Sequence, residues 1–114
     1  MSRHDRARLD DIADAISVIQ GYLERGDLYD GLIYDAVRVR LIEIGEAVKA
    51  ISPDLLEAAP SIPWREIARL RDHLAHHYFD TDHAIVQDVV DTEIAPLLDA
   101  VRTLMDRLAG NTGA

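Results

Sequence analysis

Apolar residues along this chain recur every three or four positions, the spacing of a helix face, almost from end to end. Leu9, Ile12, Ile16, Ile19 and Leu23 form the first stripe, which predicts a helix over about residues 5–25 closed by Gly26. Ile33, Val37, Leu41, Ile44, Val48 and Ile51 predict a second helix over about 30–51, ended by Ser52-Pro53. Residues 54–59 have room for one helical turn. Pro60-Ser61-Ile62-Pro63 then breaks the chain, and Pro63 suits the first turn of a third helix running to about Tyr78. Phe79-Asp80-Thr81-Asp82 reads as a turn rich in capping residues, with a fourth helix starting near Asp82. Its stripe is Ile85, Val86, Val89 and Val90 at first. After Pro96 it becomes Leu97, Val101, Leu104 and Leu108, rotated about the axis, so a bend is expected at the proline. No segment has the two-residue period of a strand. Four helices, or five with the short turn, joined by short loops predict an all-α up-down bundle. The expected organisation is one domain over residues 1–109 and a flexible tail over 110–114.

The second helix carries more than a core stripe. Asp35, Val39, Ile42 and Glu46 fall on its opposite side, so it has a second, partly apolar face. A second copy of the chain is the expected cover, which makes the protein a homodimer. The plainer alternative is that Val39 and Ile42 are singly exposed, as many surface apolar residues are.

Composition narrows the class. A chain of 114 residues with 48% hydrophobic residues can bury one core and is not disordered throughout. It has no cysteine, which excludes disulfides and thiolate metal sites. No apolar run approaches the ~20 residues needed to span a bilayer. Met1-Ser2-Arg3-His4-Asp5-Arg6 leads into a charged amphipathic stretch rather than a signal peptide, so a cytoplasmic location without membrane attachment is expected. The formal net charge of −9 argues against a general nucleic-acid coat. The charge is unevenly spread, however. Asp80, Asp82, Asp88, Asp91, Glu93 and Asp99 stand in a stretch without Lys or Arg, whereas Arg65, Arg69 and Arg71 gather just before it. An anionic ligand would favour the arginine segment.

That segment also holds the candidate chemistry. Arg71, His76 and Tyr78 stand in the order Arg-x4-His-x-Tyr, within Arg71-Asp72-His73-Leu74-Ala75-His76-His77-Tyr78-Phe79. A guanidinium can grip a phosphate through paired charge-assisted hydrogen bonds, and an imidazole can move a proton near neutral pH. A phenol offers a hydroxyl that can bond or be modified. On a straight helix Arg71 lies about 40° from Ile67 and His76 about 140° from Arg71. One ideal helix therefore does not bring both side chains to a point. Either the helix loosens after Ala75 or a second subunit completes the site.

Each residue also has a plainer reading. Arg71 alone reads as a stem packed on the core with its head in a salt bridge. His76 reads as a surface histidine favoured by a helix C-terminus, and Tyr78 as a core-edge aromatic. Histidine density raises a metal alternative. His73 and His77 share a face, His76 and His83 are near in sequence, and Asp72 could join His76 across one turn. No complete ligand set is present, so neither a metal nor another cofactor is expected.

The motif resembles the signature of the HEPN superfamily, specifically its HepT branch. Leu41-Ile42-Glu43-Ile44-Gly45-Glu46-Ala47-Val48-Lys49 resembles that branch's second-helix segment. Ile62-Pro63-Trp64-Arg65-Glu66-Ile67 resembles its lead into the third helix, and Tyr78-Phe79-Asp80-Thr81-Asp82 the turn that follows. The similarity covers roughly residues 5–108. It implies a HEPN-like helical bundle that dimerises, acting as the ribonuclease toxin of a type VII toxin–antitoxin module. It further implies metal-independent RNA cleavage by Arg71 and His76 in a cleft between subunits. Asp72 and Glu46 would be accessory groups that orient them. The implied partner is an MntA-like nucleotidyltransferase antitoxin that blocks the ribonuclease by attaching AMP to Tyr78. Two positions depart from the family pattern: Asp72 stands where Asn is frequent, and His77 where Gly is frequent. A different class of function also fits, a non-catalytic helical module that binds a nucleotide or partners a nucleotidyltransferase, with Arg71 on a phosphate.

Overall fold

The computed structural model describes residues 3–75 and 79–113. All regular structure among them is helical: α1 (Arg3–Arg25), α2 (Gly31–Lys49), α3 (Pro53–Leu56), α4 (Trp64–Ala68), α5 (Leu70–Leu74), α6 (Phe79–Asp88), a π-helical turn (Val89–Glu93) and α7 (Ile94–Gly113). The bundle is elongated, 47 × 26 × 22 Å. Among the described residues no helix is long and apolar enough to cross a membrane.

The stripes set the packing. Leu9, Ile12, Ile16 and Ile19 of α1 meet Val37, Leu41, Ile44 and Val48 of α2, and Leu97, Val101, Leu104 and Leu108 of α7 complete the core. Asp30 caps α2 by accepting from the Leu32 amide at 2.9 Å. The Ser52-Pro53 break is tied down by Asp5, which is 1% exposed and accepts from the Ser52 amide at 3.0 Å and the Ser52 hydroxyl at 2.8 Å. This buried carboxylate fixes the start of α1 to the start of α3.

Several expectations change. The third helix is not continuous: it divides into α4 and α5 at Arg69, a residue with φ −74° and ψ −11° that belongs to neither helix. Phe79-Asp80-Thr81-Asp82 is not a turn before a helix, because its backbone is already α6. Acidic residues in a first helical turn favour the positive end of the helix dipole, so the same composition serves a start as well as a cap. The bend expected at Pro96 takes the form of the π turn just before it. The Ile94 amide bonds back to the Val89 carbonyl, and Pro96, which has no amide to donate, follows in the first turn of α7. Helix α7 also continues to Gly113, through residues assigned to the tail.

On the second face of α2, Val39 is 43% exposed, Ile42 is half-buried, and Asp35 and Glu46 are exposed. Helix α2 packs against α1, α4, α5 and α6, which makes it the shaft of the bundle.

Candidate functional site

Arg71 sits on α5, two residues after the break at Arg69. Two features of α2 decide where that short helix lies. The first is Gly45, buried in the middle of an otherwise well-filled helix. A Cβ there would stand 3.0 Å from the Arg71 amide nitrogen, 3.0 Å from the Ile67 carbonyl oxygen and 3.3 Å from that of Ala68. The missing side chain lets α2 lie directly on the backbone of residues 67–71. The second is Arg38, whose Nη1 donates to the Leu74 carbonyl at 2.9 Å. It thereby ties α2 to the carbonyl of the last residue of α5.

On this support the guanidinium of Arg71 faces outward, its side chain 48% exposed. Its Nε donates to Glu46 Oε1 at 3.3 Å, and its Nη1 stands 3.6 Å from Asp72 Oδ1. Lys49 Nζ reaches both Asp72 oxygens, at 3.4 and 3.3 Å. Glu46, Arg71, Asp72 and Lys49 thus form one surface chain of alternating charge joining α2 to α5. The hydrogen bond and charge of Lys49, with help from Arg71, hold the Asp72 carboxyl below its ordinary range. Exposed pairs of this kind are screened by solvent, so the chain orients Arg71 rather than stabilising the fold.

Arg71, Glu46 and Asp72 are therefore together. His76 and Tyr78, with His77, lie outside the described residues. On the far side of that segment His83 is built into the scaffold. Its Nε2–H donates to the Leu28 carbonyl at 3.0 Å. Its ring stacks on Tyr34 at 5.4 Å between centroids and lies 5.1 Å from Tyr29. Tyr34 is buried, and that burial, with the nearby Asp82 charge, raises its phenol pKa. Asp82 is itself buried. The considered metal set thus has His83 engaged elsewhere, and among the described residues no group of three or more His, Cys, Asp or Glu gathers around a common point.

Sequence reasoning met Gly45 and Lys49 only within the second-helix resemblance and passed over Arg38 and Tyr34. A glycine inside a helix of good formers was a readable sign of close backbone approach. Arg38, with its long reach to Leu74, left no local sign. Removing it gives a first expected outcome. Arg38→Ala should cost about 1.5–3 kcal/mol, the value of a hydrogen bond from a charged donor to a partly buried carbonyl. Urea unfolding measures it, and a change under about 0.5 kcal/mol would show the bond to be dispensable.

Residues 9–104 match the profile described as Ribonuclease HepT-like. This chain belongs to the HepT-like family. Its relatives agree. A protein of Thermococcus cleftensis named "Probable ribonuclease HepT" is 38% identical over 101 residues, covering 85% of this chain and 92% of the relative. A candidate RNase of Methanocaldococcus jannaschii is 36% identical over 73 residues, covering 63% of this chain and 60% of the relative. A second protein of that organism, named as a gamma-glutamylcyclotransferase and candidate RNase, is 30% identical over 115 residues, covering 97% of this chain and 52% of the relative. The chain therefore spans only about half to three fifths of the length of those two relatives. No solved structure matches significantly. The HepT-like match covers α2, α5 and the Arg71–Glu46 contact, so the charged chain on the surface lies within the matched residues.

Proposed function

We propose that this HepT-like chain is the toxin of a type VII toxin–antitoxin module, a metal-independent ribonuclease whose site combines Arg71 and His76 across a homodimer. One observation carries the reading. In a chain of a ribonuclease family, the motif arginine is held at the surface by Glu46 from another helix, with half of its side chain open to a ligand. A buried arginine locked in the core would have spoken against it. The exposed faces of Val39 and Glu46 on α2 support a second copy lying alongside.

In this scheme His76 takes the proton of a ribose 2′-hydroxyl. The 2′-oxygen attacks the adjacent phosphorus, and Arg71 stabilises the charge that develops on the phosphoryl oxygens. The bond to the 5′-oxygen breaks, and His76 of the partner subunit protonates the leaving oxygen. The products are a 2′,3′-cyclic phosphate end and a free 5′-hydroxyl. Neutralisation comes from a nucleotidyltransferase antitoxin. The Tyr78 oxygen attacks the α-phosphorus of ATP, pyrophosphate leaves, and the attached AMP adds bulk and negative charge where RNA must lie.

The test is cleavage of total RNA by the purified chain with and without EDTA, together with growth on expression. Cleavage that persists in EDTA supports the scheme, and strict dependence on added metal overturns it. Tyr78→Phe should stay toxic and escape the antitoxin, read as growth arrest during co-expression with no AMP adduct by mass spectrometry. A Phe variant still silenced by AMP transfer would take that role from Tyr78. One observation favours a non-catalytic nucleotide-binding module instead: Arg71 already lies against two carboxylates. A chain that binds ATP or AMP but leaves RNA intact under all these conditions would fit that second reading.

A further inference from the structure

Asp72 is the hinge of the charged chain. Its Oδ1 stands 3.6 Å from Arg71 Nη1 and 3.4 Å from Lys49 Nζ. Sharing one oxygen, the two cationic nitrogens lie no more than about 7 Å apart, a span that two oxygens of one phosphate or of neighbouring phosphates on a strand can bridge. They come from different helices, Lys49 at the end of α2 and Arg71 on α5. All three side chains are about half exposed, at 44% for Lys49, 48% for Arg71 and 56% for Asp72. Surface ion pairs of this kind hold weakly, so the carboxylate can leave when a stronger anion arrives.

We propose that Lys49 is the second phosphate-binding cation of the site and that Asp72 stands in for a substrate phosphate, holding Lys49 and Arg71 together until RNA displaces it. This rests on the ribonuclease reading and deepens it by naming how the strand is held. The acidic net charge of −9 makes such a device useful. A chain that repels RNA overall needs its few cations gathered, and an internal carboxylate keeps them gathered without trapping other polyanions. The division of labour follows from chemistry. The planar fork of Arg71 suits the reacting phosphate, and the flexible point charge of Lys49 suits a neighbour in a less fixed position. Glu46 keeps its bond to Arg71 Nε throughout, leaving the guanidinium's outer nitrogens for the strand.

The experiment measures binding of a single-stranded 2′-O-methyl RNA, which lacks the attacking hydroxyl, so that affinity is read without cleavage and with the catalytic groups intact. Lys49→Ala is expected to weaken binding about three- to tenfold at low salt. It should also reduce the slope of log affinity against log salt by about 0.7, the share of one phosphate contact on a single strand. Lys49→Arg should restore both. Asp72→Asn, which removes the competing charge and keeps the shape, should tighten binding by a similar factor. Helical circular dichroism and the urea midpoint verify folding, and Lys49→Gln replaces the alanine variant if that one is unstable. An unchanged salt slope in folded Lys49→Ala or Lys49→Gln overturns the role of Lys49. Weaker binding by Asp72→Asn overturns the stand-in. Cleavage of ordinary RNA by the wild-type chain is followed in parallel. If that cleavage occurs and Lys49 has no effect, this inference fails alone. If neither cleavage nor binding occurs, the ribonuclease reading fails with it.

Discussion

Alanine in place of His76 should slow RNA cleavage by roughly 10²–10⁴-fold, the usual contribution of a positioned proton-transfer group. Arg71→Ala should cost about 10²–10³-fold, in line with losing one preorganised stabiliser of transition-state charge. Arg71→Lys should recover little, because a point charge cannot reproduce two parallel hydrogen bonds. Stability offers the control. The contacts of Arg71 to Glu46 and Asp72 are half-exposed, so losing them should move the unfolding free energy by no more than about 1 kcal/mol. Activity and stability must therefore separate. The decisive measurement is a cleavage time course on purified proteins whose urea midpoints match wild type. Undiminished cleavage by a clean His76→Ala preparation removes the imidazole from the reaction. A loss that tracks a collapsed midpoint would mean that the residue only holds the fold.

The second large effect is at Gly45, which carries no reactive group itself. Alanine in a helix interior is normally worth about 1 kcal/mol over glycine. Here the added Cβ meets three backbone atoms, two of them at 3.0 Å, and backbone cannot turn aside as a side chain would. Overpacking of this kind costs about 1–3 kcal/mol. The steric cost should win for Gly45→Ala, leaving a net loss of about 1 kcal/mol, and Gly45→Val should lose about 3 kcal/mol. Function should suffer more than stability in the alanine variant. Parting α2 from α5 by a few tenths of an ångström moves the Arg71 amide itself, and misplacement on the scale of an ångström can cost about 10²-fold in rate. Denaturation midpoints and cleavage rates on the two variants check this. A Gly45→Val protein as stable and as active as wild type would show that α5 is not seated on α2 as described.

The long helices were legible because each carries its own signal. The stripe of α1 from Leu9 to Ile19 is buried along its length, Asp30 caps α2, and Ser52-Pro53 ends it. The apolar period of helices is local, and so is the capping chemistry. The break at Arg69 was not legible, since Trp64 to Leu74 reads as one amphipathic run. Ile33 stood in the predicted stripe yet is only half-buried, while its neighbour Tyr34 is in the core, stacked on His83. That pairing depends on α6, whose start sequence reasoning placed a few residues late. Within the site, Arg71, Asp72 and Glu46 were found by chemistry and resemblance, and the structure brings them into contact. Arg38 and Gly45 act through partners 36 and about 25 positions away, and no local pattern encodes such a partner.

Five residues that meet the later stretch, Tyr34, Arg38, Gly45, Glu46 and Lys49, all belong to α2. Their counterparts, from Ile67 to His83, belong to a different stretch of chain. The two stretches behave as lock plate and bolt: neither has meaning by itself, and drift in one must be answered in the other. Chimeras that exchange α2 between members of the family should keep their cores yet misalign their reactive groups unless residues 64–83 travel with it.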